Sequence, residues 1–405
     1  MRTVPLGRVV SLATEKTSDR EFRIGLEAVE SKTGSLVSSP VTDYDGDGIA
    51  FEVGDVLFGK LRPYLAKVWC ADTAGAAVGD FHVYRPNTEL VDSAYLRFAL
   101  LSDRFLDPVV SSVFGAKMPR ASWDFIRGVE IWLPSVAEQK GIAEYLDRET
   151  AQIDTLIEEQ QRLVEMLHER RKSLVDRGVF GLDSGKPREL RLIGRHRAVE
   201  PLLANTPAHW GIQRFLAVLK RVVERNSDLS EPMMSLKSTG EIVRRDSLGG
   251  RQEPDEGSLP KYLVTHPDSL VVNPMWLIGG AIGVSQVDGA VSPDYRVFDV
   301  ADAVHPRYLH HLLRSSPYID QYMLYTRAQT TFDRRVQQPE LNNLPIPLPP
   351  MEEQIEIAVS IDEQAAKIDS LIAEAERFIE LSRERRSALI TAAVTGQIDV
   401  REQVA

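Results

Sequence analysis

The sequence predicts an α+β protein that consists of two similar mixed α/β domains, each followed by a long helix. Residues 133–181 and 348–396 align without a gap at a constant offset of 215. Short strand patterns in front of each stretch also correspond, and both stretches carry an apolar stripe with heptad spacing. A repeat of this length indicates an internal duplication, so we expect the two halves to share one plan.

Composition limits the class of protein. A chain of 405 residues with 43% hydrophobic residues can form two or three domains with real cores. Cys70 is the single cysteine, which excludes a disulfide framework and fits a reducing compartment. Neither a secretory leader nor an uninterrupted apolar span is visible, so we expect a cytoplasmic protein with no membrane partner.

The charge distribution matters more than the net charge of −11. Lys and Arg minus Asp and Glu give 7−10 = −3 for residues 135–181 and 6−12 = −6 for residues 349–405. The two domains are therefore close to neutral, and either can carry a local basic surface for nucleic acid.

The first domain is expected at residues 1–134. Strand patterns occur at 54–58, 65–70 and 81–84, and helical periodicity occurs at 93–106. A second domain, expected at 201–348, repeats this plan more loosely, because 268–272 corresponds to 55–59 at an offset of 213 and 293–297 to 79–83 at 214. A polar linker at 182–200 separates the copies.

The two repeated stretches predict long helices at 135–181 and 349–396, with a short tail at 397–405. Ser135 and Glu138 form a capping box at the start of the first helix. We expect the heptad positions to pair the helices as a coiled coil; they are Ile153, Leu156, Ile157, Leu163, Leu167 and Leu174 in the first copy, and Ile368, Leu371, Ile372, Phe378 and Leu389 in the second. An amphipathic helix that lies on its own domain is the alternative.

Connectivity favours antiparallel pairing with pseudo-two-fold symmetry. In that arrangement the end of the first helix lies beside the start of the second, and the linker has little distance to cover. About 28 paired residues at 1.5 Å each span roughly 42 Å, or on the order of 12 base pairs of duplex.

Motifs for catalysis are incomplete. Gly54–Lys60 satisfies the first part of a P-loop, but Leu61 stands where the Mg²⁺-binding hydroxyl is required, and the run reads as a strand. The acidic run that begins at Asp43 resembles an EF-hand, yet Gly54 occupies the position of the bidentate Glu. The segment Asn273–Trp276 departs from the methyltransferase pattern N-P-P-[YF], and no histidine spacing indicates a metal. We therefore expect no catalytic residues, no metal and no cofactor in this chain.

The repeated motifs resemble the DNA specificity subunit of type I restriction-modification systems. The resemblance is carried by the paired L-P-x-x-x-E-Q openings at Leu133–Gln139 and Leu348–Gln354, the following I-D-x-L-I and E-R-R motifs, and the run Gly54–Leu65. It covers essentially the whole chain. It implies two target recognition domains, each reading one half of a split DNA sequence, held apart by the helices.

The resemblance also implies partners. Two methyltransferase subunits would bring S-adenosylmethionine to target adenines, and motor-nuclease subunits with ATP and Mg²⁺ would complete the assembly. Copy two lacks the K-x-R-P of Lys60–Pro63 at Asp268–Trp276, so no DNA contact is transferred to that segment.

Cationic and amide side chains on loops are the candidates for DNA contacts. In the first domain they are Lys60, Arg62, Lys67, Lys117 and Arg120, and in the second they are Arg244, Arg245, Arg251, Arg327, Gln329, Arg334 and Arg335. Arg120 and Arg335 correspond at the offset of 215, which favours them.

Two other classes of function remain open at this point. A scaffold that joins two protein-binding domains through the helices would explain the net acidity without DNA. A self-contained methyltransferase or nuclease is disfavoured by the incomplete motifs, and turnover by the purified chain alone would support it.

Overall fold

The computed structural model describes residues 2–37, 46–113, 118–182, 195–249, 256–326 and 334–400. The chain divides into two compact units, residues 1–163 with 375–405 and residues 164–374. Each unit contains one mixed α/β domain, the start of the long helix that follows it, and the end of the other long helix. The duplicated plan and the α+β class are therefore confirmed.

The first domain is built around a four-stranded antiparallel sheet. Its strand order is β2-β9-β6-β7, and a second sheet of order β3-β5-β8-β4 lies beside it, while β1 pairs with β10. The strands are β1 (Thr3–Pro5), β2 (Val10–Ala13), β3 (Lys16–Thr17), β4 (Arg23–Ile24), β5 (Gly48–Phe51), β6 (Val56–Gly59), β7 (Val68–Cys70), β8 (Gly75–Ala77), β9 (Phe81–Pro86) and β10 (Glu130–Trp132). The helices are α1 (Ser93–Leu101), α2 (Asp103–Ser111), α3 (Trp123–Ile126) and the long α4 (Val136–Phe180).

The second domain repeats the four-stranded sheet in the order β12-β19-β16-β17, with β11 paired to β20. Its strands are β11 (Gly211–Arg214), β12 (Leu219–Val222), β13 (Met234–Leu236), β14 (Ile242–Arg244), β15 (Leu263–Thr265), β16 (Leu270–Val272), β17 (Ile282–Val284), β18 (Gly289–Val291), β19 (Arg296–Val300) and β20 (Pro345–Leu348). Its helices are α5 (Glu200–Leu203), α6 (Phe215–Val218), α7 (Pro306–Arg314), α8 (Ser316–Tyr325), α9 (Gln338–Asn342) and the long α10 (Met351–Val394).

The central strand, which is β6 in the first domain and β16 in the second, is buried on both faces, and this explains its continuous apolar sequence. Val56 and Phe58 enter the cluster with the helices, whereas Leu57 faces the other sheet. In the second domain Val272 takes the place of Phe58, and Val271 that of Leu57. The offset for this strand is therefore 214, and the sequence alignment at 213 is wrong by one residue. Matching the two aspartates that precede the strands caused the slip, which would exchange the buried faces.

The long helices pair antiparallel, as predicted. In the first unit Arg386, late in α10, bonds Asp154 of α4 at 2.8 Å. In the second unit Arg171, late in α4, lies 2.7 Å from Asp369 of α10. The same two positions of the repeat thus form an ion pair in each unit with donor and acceptor exchanged between the helices.

The predicted heptad positions differ in burial. The buried members are Ile153, Ile157, Leu167, Ile368 and Ile372, and Leu174 and Leu389 are partly buried against neighbouring clusters. Leu167 packs with Ile368 and Ile372 in the second unit. The other members are exposed to 37–51% of their surface; they are Leu156, Leu163, Leu371 and Phe378. The buried contact between the two helices is therefore narrower than the stripe of heptad positions that the sequence predicts.

The start of α4 has the capping box that the sequence predicts. The backbone N–H of Ser135 donates to the Glu138 carboxylate at 3.0 Å, and the N–H of Glu138 donates to Ser135 Oγ at 3.3 Å. Among the described residues, no helix is long and apolar enough to cross a membrane.

Candidate nucleic-acid interface

A loop between β6 and β7 presents the first set of candidate DNA contacts. Arg62 and Ala66 in this loop have φ angles of +51° and +47°, a left-handed conformation that is strained for residues with a Cβ. The loop is held by the segment before α3, because Arg62 N–H donates to Pro119 O at 2.8 Å and Ala121 N–H donates to Lys60 O at 2.8 Å. Backbone hydrogen bonds therefore bring Lys60, Arg62 and Arg120 together.

Charge at this loop is only partly neutralised. Arg120 donates to both carboxylate oxygens of Asp80 at 2.9 and 3.0 Å, and this bond raises the pKa of the guanidinium. Lys60 Nζ lies 3.9 Å from the same carboxylate. The guanidinium of Arg62 is exposed and has no side-chain partner among the described residues. Arg62 is therefore the cation of this loop that is ready to bind a ligand.

The other candidates of the first domain lie elsewhere. Lys67 is half-buried and donates to Leu26 O and Val29 O at 2.7 and 2.8 Å, so its charge fixes a turn. Lys117 lies outside the described residues, as does Asp43 of the EF-hand-like run. Among the described residues, no group of three or more His, Cys, Asp or Glu side chains could hold a metal ion.

An equivalent loop lies between β16 and β17 of the second domain. Val336 N–H donates to Pro274 O at 3.0 Å, which is the counterpart of the bond between Ala121 and Lys60. Arg335 Nη2 lies 3.9 Å from Asp294, the counterpart of the pair Arg120–Asp80. The same site is therefore built twice, although the K-x-R-P sequence is absent from the second copy.

Sequence reasoning missed the side chain that this second loop presents. Trp276 is 57% exposed at the position equivalent to Arg62. The correct strand offset of 214 would have aligned the two residues. An indole therefore stands in the second domain where a guanidinium stands in the first.

The remaining candidates of the second domain lie at separate places in the chain. Arg244 ends β14 and pairs with Asp246 at 2.7 Å, and Arg245 begins the turn that follows. Arg334 adjoins Arg335 and is half-buried. Three candidates lie outside the described residues, namely Arg251, Arg327 and Gln329.

In each domain a buried basic residue lies next to the loop, near the start of the strand that pairs with the central strand. This strand is β9 in the first domain and β19 in the second. In the first domain His82 Nδ1 lies 3.2 Å from Tyr84 Oη, and burial together with the nearby Lys60 lowers the pKa of this histidine to about 4. The second domain has Arg296 at this position, and burial lowers the pKa of its guanidinium to about 10. At neutral pH the first position is uncharged and the second is cationic.

The motif glutamines fix each loop-bearing domain to its helix. Gln139 is fully buried, accepts from Asp92 N–H at 2.8 Å, and donates to Leu90 O and Pro134 O at 3.0 and 2.9 Å. Gln354 is only 1% exposed and forms the same network in the second copy, where it accepts from His305 N–H at 2.7 Å. The conserved geometry in both copies gives the E-Q motif a structural role.

One tyrosine in each domain ties it to the end of the long helix that follows the other domain. Tyr95 donates to Trp132 O at 2.7 Å and lies 3.4 Å from Val394 O at the end of α10. Tyr308 lies 3.0 Å from Val179 O at the end of α4. Each domain therefore has a fixed orientation on both helices of its own unit.

This duplicated arrangement of mixed domains and antiparallel helices defines the class of fold, and a solved protein shares it. The solved structure carries the description "Structural basis underlying complex assembly and conformational transition of the type I R-M system". It matches this chain with a TM-score of 0.65 and 18% identity, and the match covers 97% of both chains. At this identity the likeness establishes a common fold, so the resemblance seen in the sequence motifs is confirmed at that level.

Two further solved structures match less closely. The first is the HsdS subunit from Thermoanaerobacter tengcongensis, with a TM-score of 0.49 and 18% identity over 98% of this chain and 97% of that chain. The second is the type I restriction-modification S subunit from M. genitalium, with a TM-score of 0.38 and 13% identity over 97% of this chain and 96% of that chain. No family model matches the chain, and no curated protein matches it.

Proposed function

We propose that this chain is the DNA specificity subunit of a type I restriction-modification complex. Each domain would read one half of a split duplex sequence, and the paired helices would set the gap between the halves. The chain would supply no catalysis. Two methyltransferase subunits would supply S-adenosylmethionine chemistry, and motor-nuclease subunits would supply cleavage with ATP and Mg²⁺.

The observation that carries this proposal is the duplicated loop site. In each domain a loop after the central strand is held by the same backbone hydrogen bond, Ala121 to Lys60 or Val336 to Pro274. Each loop exposes a side chain suited to nucleic acid, Arg62 or Trp276. Two equivalent sites on domains that are each locked to a helix fit a bipartite target better than a continuous one.

The different side chains at equivalent positions indicate different half-sites. A guanidinium can donate two hydrogen bonds to the O6 and N7 acceptors of guanine, whereas an indole makes apolar contact such as that with a thymine methyl group. The first domain is therefore expected to read a half-site with a required G·C pair. The second is expected to read a half-site with a different composition.

Footprinting of the chain assembled with its methyltransferase partner tests the proposal. We expect protection of two short sequences separated by a fixed gap. Arg62→Ala should weaken binding by about 10- to 100-fold and relax base preference in one half-site only, because a bidentate base contact contributes about 1–3 kcal/mol.

A matched control is Arg8→Ala, which removes another exposed arginine from the same domain. It should change affinity little. Protection of one continuous sequence, or equal losses from Arg8→Ala and Arg62→Ala, would contradict the proposed role of the loop.

The spacer role has its own test. Seven residues inserted after Leu163 and seven after Glu374 keep the apolar stripe in phase. They should lengthen the protected gap by about three base pairs, since seven residues of helix add about 10 Å. An unchanged gap would show that the helices do not set it.

The acidity of the two helices favours a scaffold that binds only proteins as the second candidate. In that case the assembled complex would bind no duplex even at low salt, where phosphate contacts are strongest.

A further inference from the structure

The second domain contains a buried arginine that has no anionic partner among the described residues. Arg296 is 8% exposed, and its Nη1 atom is buried without a hydrogen-bond partner. A buried and unpaired charge is strongly destabilising, whereas a paired one is tolerated. The position of Arg296 is therefore suited to an anion that comes from outside the chain.

Two more guanidinium groups lie around Arg296. On β12, Arg221 is opposite Phe298, which lies two residues beyond Arg296 and points to the same face of the sheet. Arg335 contacts Met275 in the loop after β16, with its Nε 3.3 Å from the sulfur. Burial, then the charges of Arg221 and Arg335, lower the pKa of Arg296.

The arginine cluster, defined as Arg221, Arg296 and Arg335, adjoins the loop that presents Trp276. Arg296 pairs across the sheet with Val272, the last residue of β16, and the loop begins at the next residue. Asp294 is the acidic residue that contacts the cluster within the described chain, at 3.9 Å from Arg335 and with most of its surface exposed. The cluster therefore keeps a local excess of positive charge.

The first domain does not reproduce this cluster. The residue equivalent to Arg296 is His82, which faces Tyr84 and is uncharged at neutral pH. The residue equivalent to Arg221 is Leu12, which lies opposite Tyr84 in the sheet. The excess charge is thus particular to the second domain and is not a requirement of the fold.

We propose that the arginine cluster of the second domain is a binding site for a phosphate oxyanion. Resting on the proposed function, its ligand is a backbone phosphodiester of the DNA strand read by this domain. Guanidinium groups bind phosphate through paired N–H donors, and Arg296 with two neighbouring guanidinium groups supplies enough donors and charge for one phosphate. Phosphate contacts of this kind position a domain without reading sequence.

The first test uses inorganic phosphate and the intact chain. Phosphate should raise the thermal midpoint of the second unit by about 2–4 °C at saturating concentration. Arg296→Met should raise the midpoint by a similar amount in phosphate-free buffer, because it removes an uncompensated buried charge. In this variant phosphate should have no further effect.

Arg314→Met is the matched control. Arg314 is also largely buried, and burial lowers its pKa to about 10, but it donates to Ser238 O at 3.0 Å and to Gly280 O. Its replacement should lower the midpoint and leave the phosphate effect intact. If Arg296→Met lowers the midpoint as Arg314→Met does, or if phosphate stabilises both variants equally, the anion site is refuted.

The second test uses duplex DNA and the assembled complex. Arg296→Met should weaken binding about tenfold for every sequence and reduce the salt slope of log K by about one. If the complex binds no split duplex while phosphate still stabilises the wild-type chain, the proposed function fails and the anion site stands. If a split duplex binds with an unchanged salt slope in Arg296→Met, the phosphodiester assignment fails and the proposed function stands.

Discussion

Replacement of Gln354 by alanine should destabilise the start of α10 by about 3 kcal/mol. The side chain is 1% exposed and makes three hydrogen bonds, to His305 N–H at 2.7 Å, Ala303 O at 3.0 Å and Pro349 O at 2.9 Å. Alanine removes all three hydrogen bonds, of which the one to Pro349 O is buried and the other two are partly buried. Each such loss removes about 1 kcal/mol, and the three together give the stated value.

Hydrogen exchange is the appropriate assay, because a chain of two units need not unfold in one step. The free energy of opening should fall for amides in the first turns of α10 and in the segment before α7. Gln364→Ala is the control: this residue lies on the same helix and is exposed, and its side chain bonds Ser360 Oγ at 2.9 Å. It should change the opening free energy by less than about 0.5 kcal/mol. Equal effects of the two variants would refute the argument.

Three further predictions concern the two units. Arg386→Ala should destabilise the first unit by about 2–3 kcal/mol, since this 7% exposed arginine bonds Asp154 and two loop carbonyls. Arg171→Ala should lower the stability of the second unit by no more than about 1 kcal/mol, because both members of its ion pair are about half exposed. The stability of the first unit should fall by about 2 kcal/mol between pH 7.5 and 5, because burial lowers the pKa of His82 from 6.5 to about 4 and the unfolded chain therefore binds its proton first.

Urea unfolding followed by hydrogen exchange measures all three effects. Arg383→Ala, an exposed position on α10, is the control for Arg386, and equal losses at Arg386 and Arg171 would contradict the burial argument. His82→Gln should flatten the pH dependence of the first unit. If the pH dependence remains in His82→Gln, groups other than His82 cause it.

The duplicated plan could be predicted because the constraint on the helices is local and repeated. The E-Q motif marks each helix start because the buried Gln139 bonds three backbone groups around it, and its replacement removes all three hydrogen bonds. The width of the apolar seam could not be predicted in the same way. A heptad pattern gives no information on which of Leu156 and Ile157 faces the partner helix, since burial depends on how closely the two helices approach.

The candidate site was only partly predictable. Arg62 and Arg120 lie about 60 residues apart, and backbone pairing of two loops brings them together. Lys67 has a positive charge that would suit a DNA contact, but its ammonium group donates to carbonyls of its own domain. The loop of the second domain lacks the motif but has the counterpart of one backbone hydrogen bond, Val336 N–H to Pro274 O, and the one-residue error in the strand alignment hid the equivalence of Trp276 and Arg62.

Sequencing of methylated bases in cells that express this chain with a methyltransferase partner tests the central claim most directly. We expect methylated adenines in one split motif, with two short specified halves, a gap of fixed length, and loss of discrimination in one half when Arg62 is replaced. Methylation in a continuous motif, or an unchanged motif in Arg62→Ala, would contradict it.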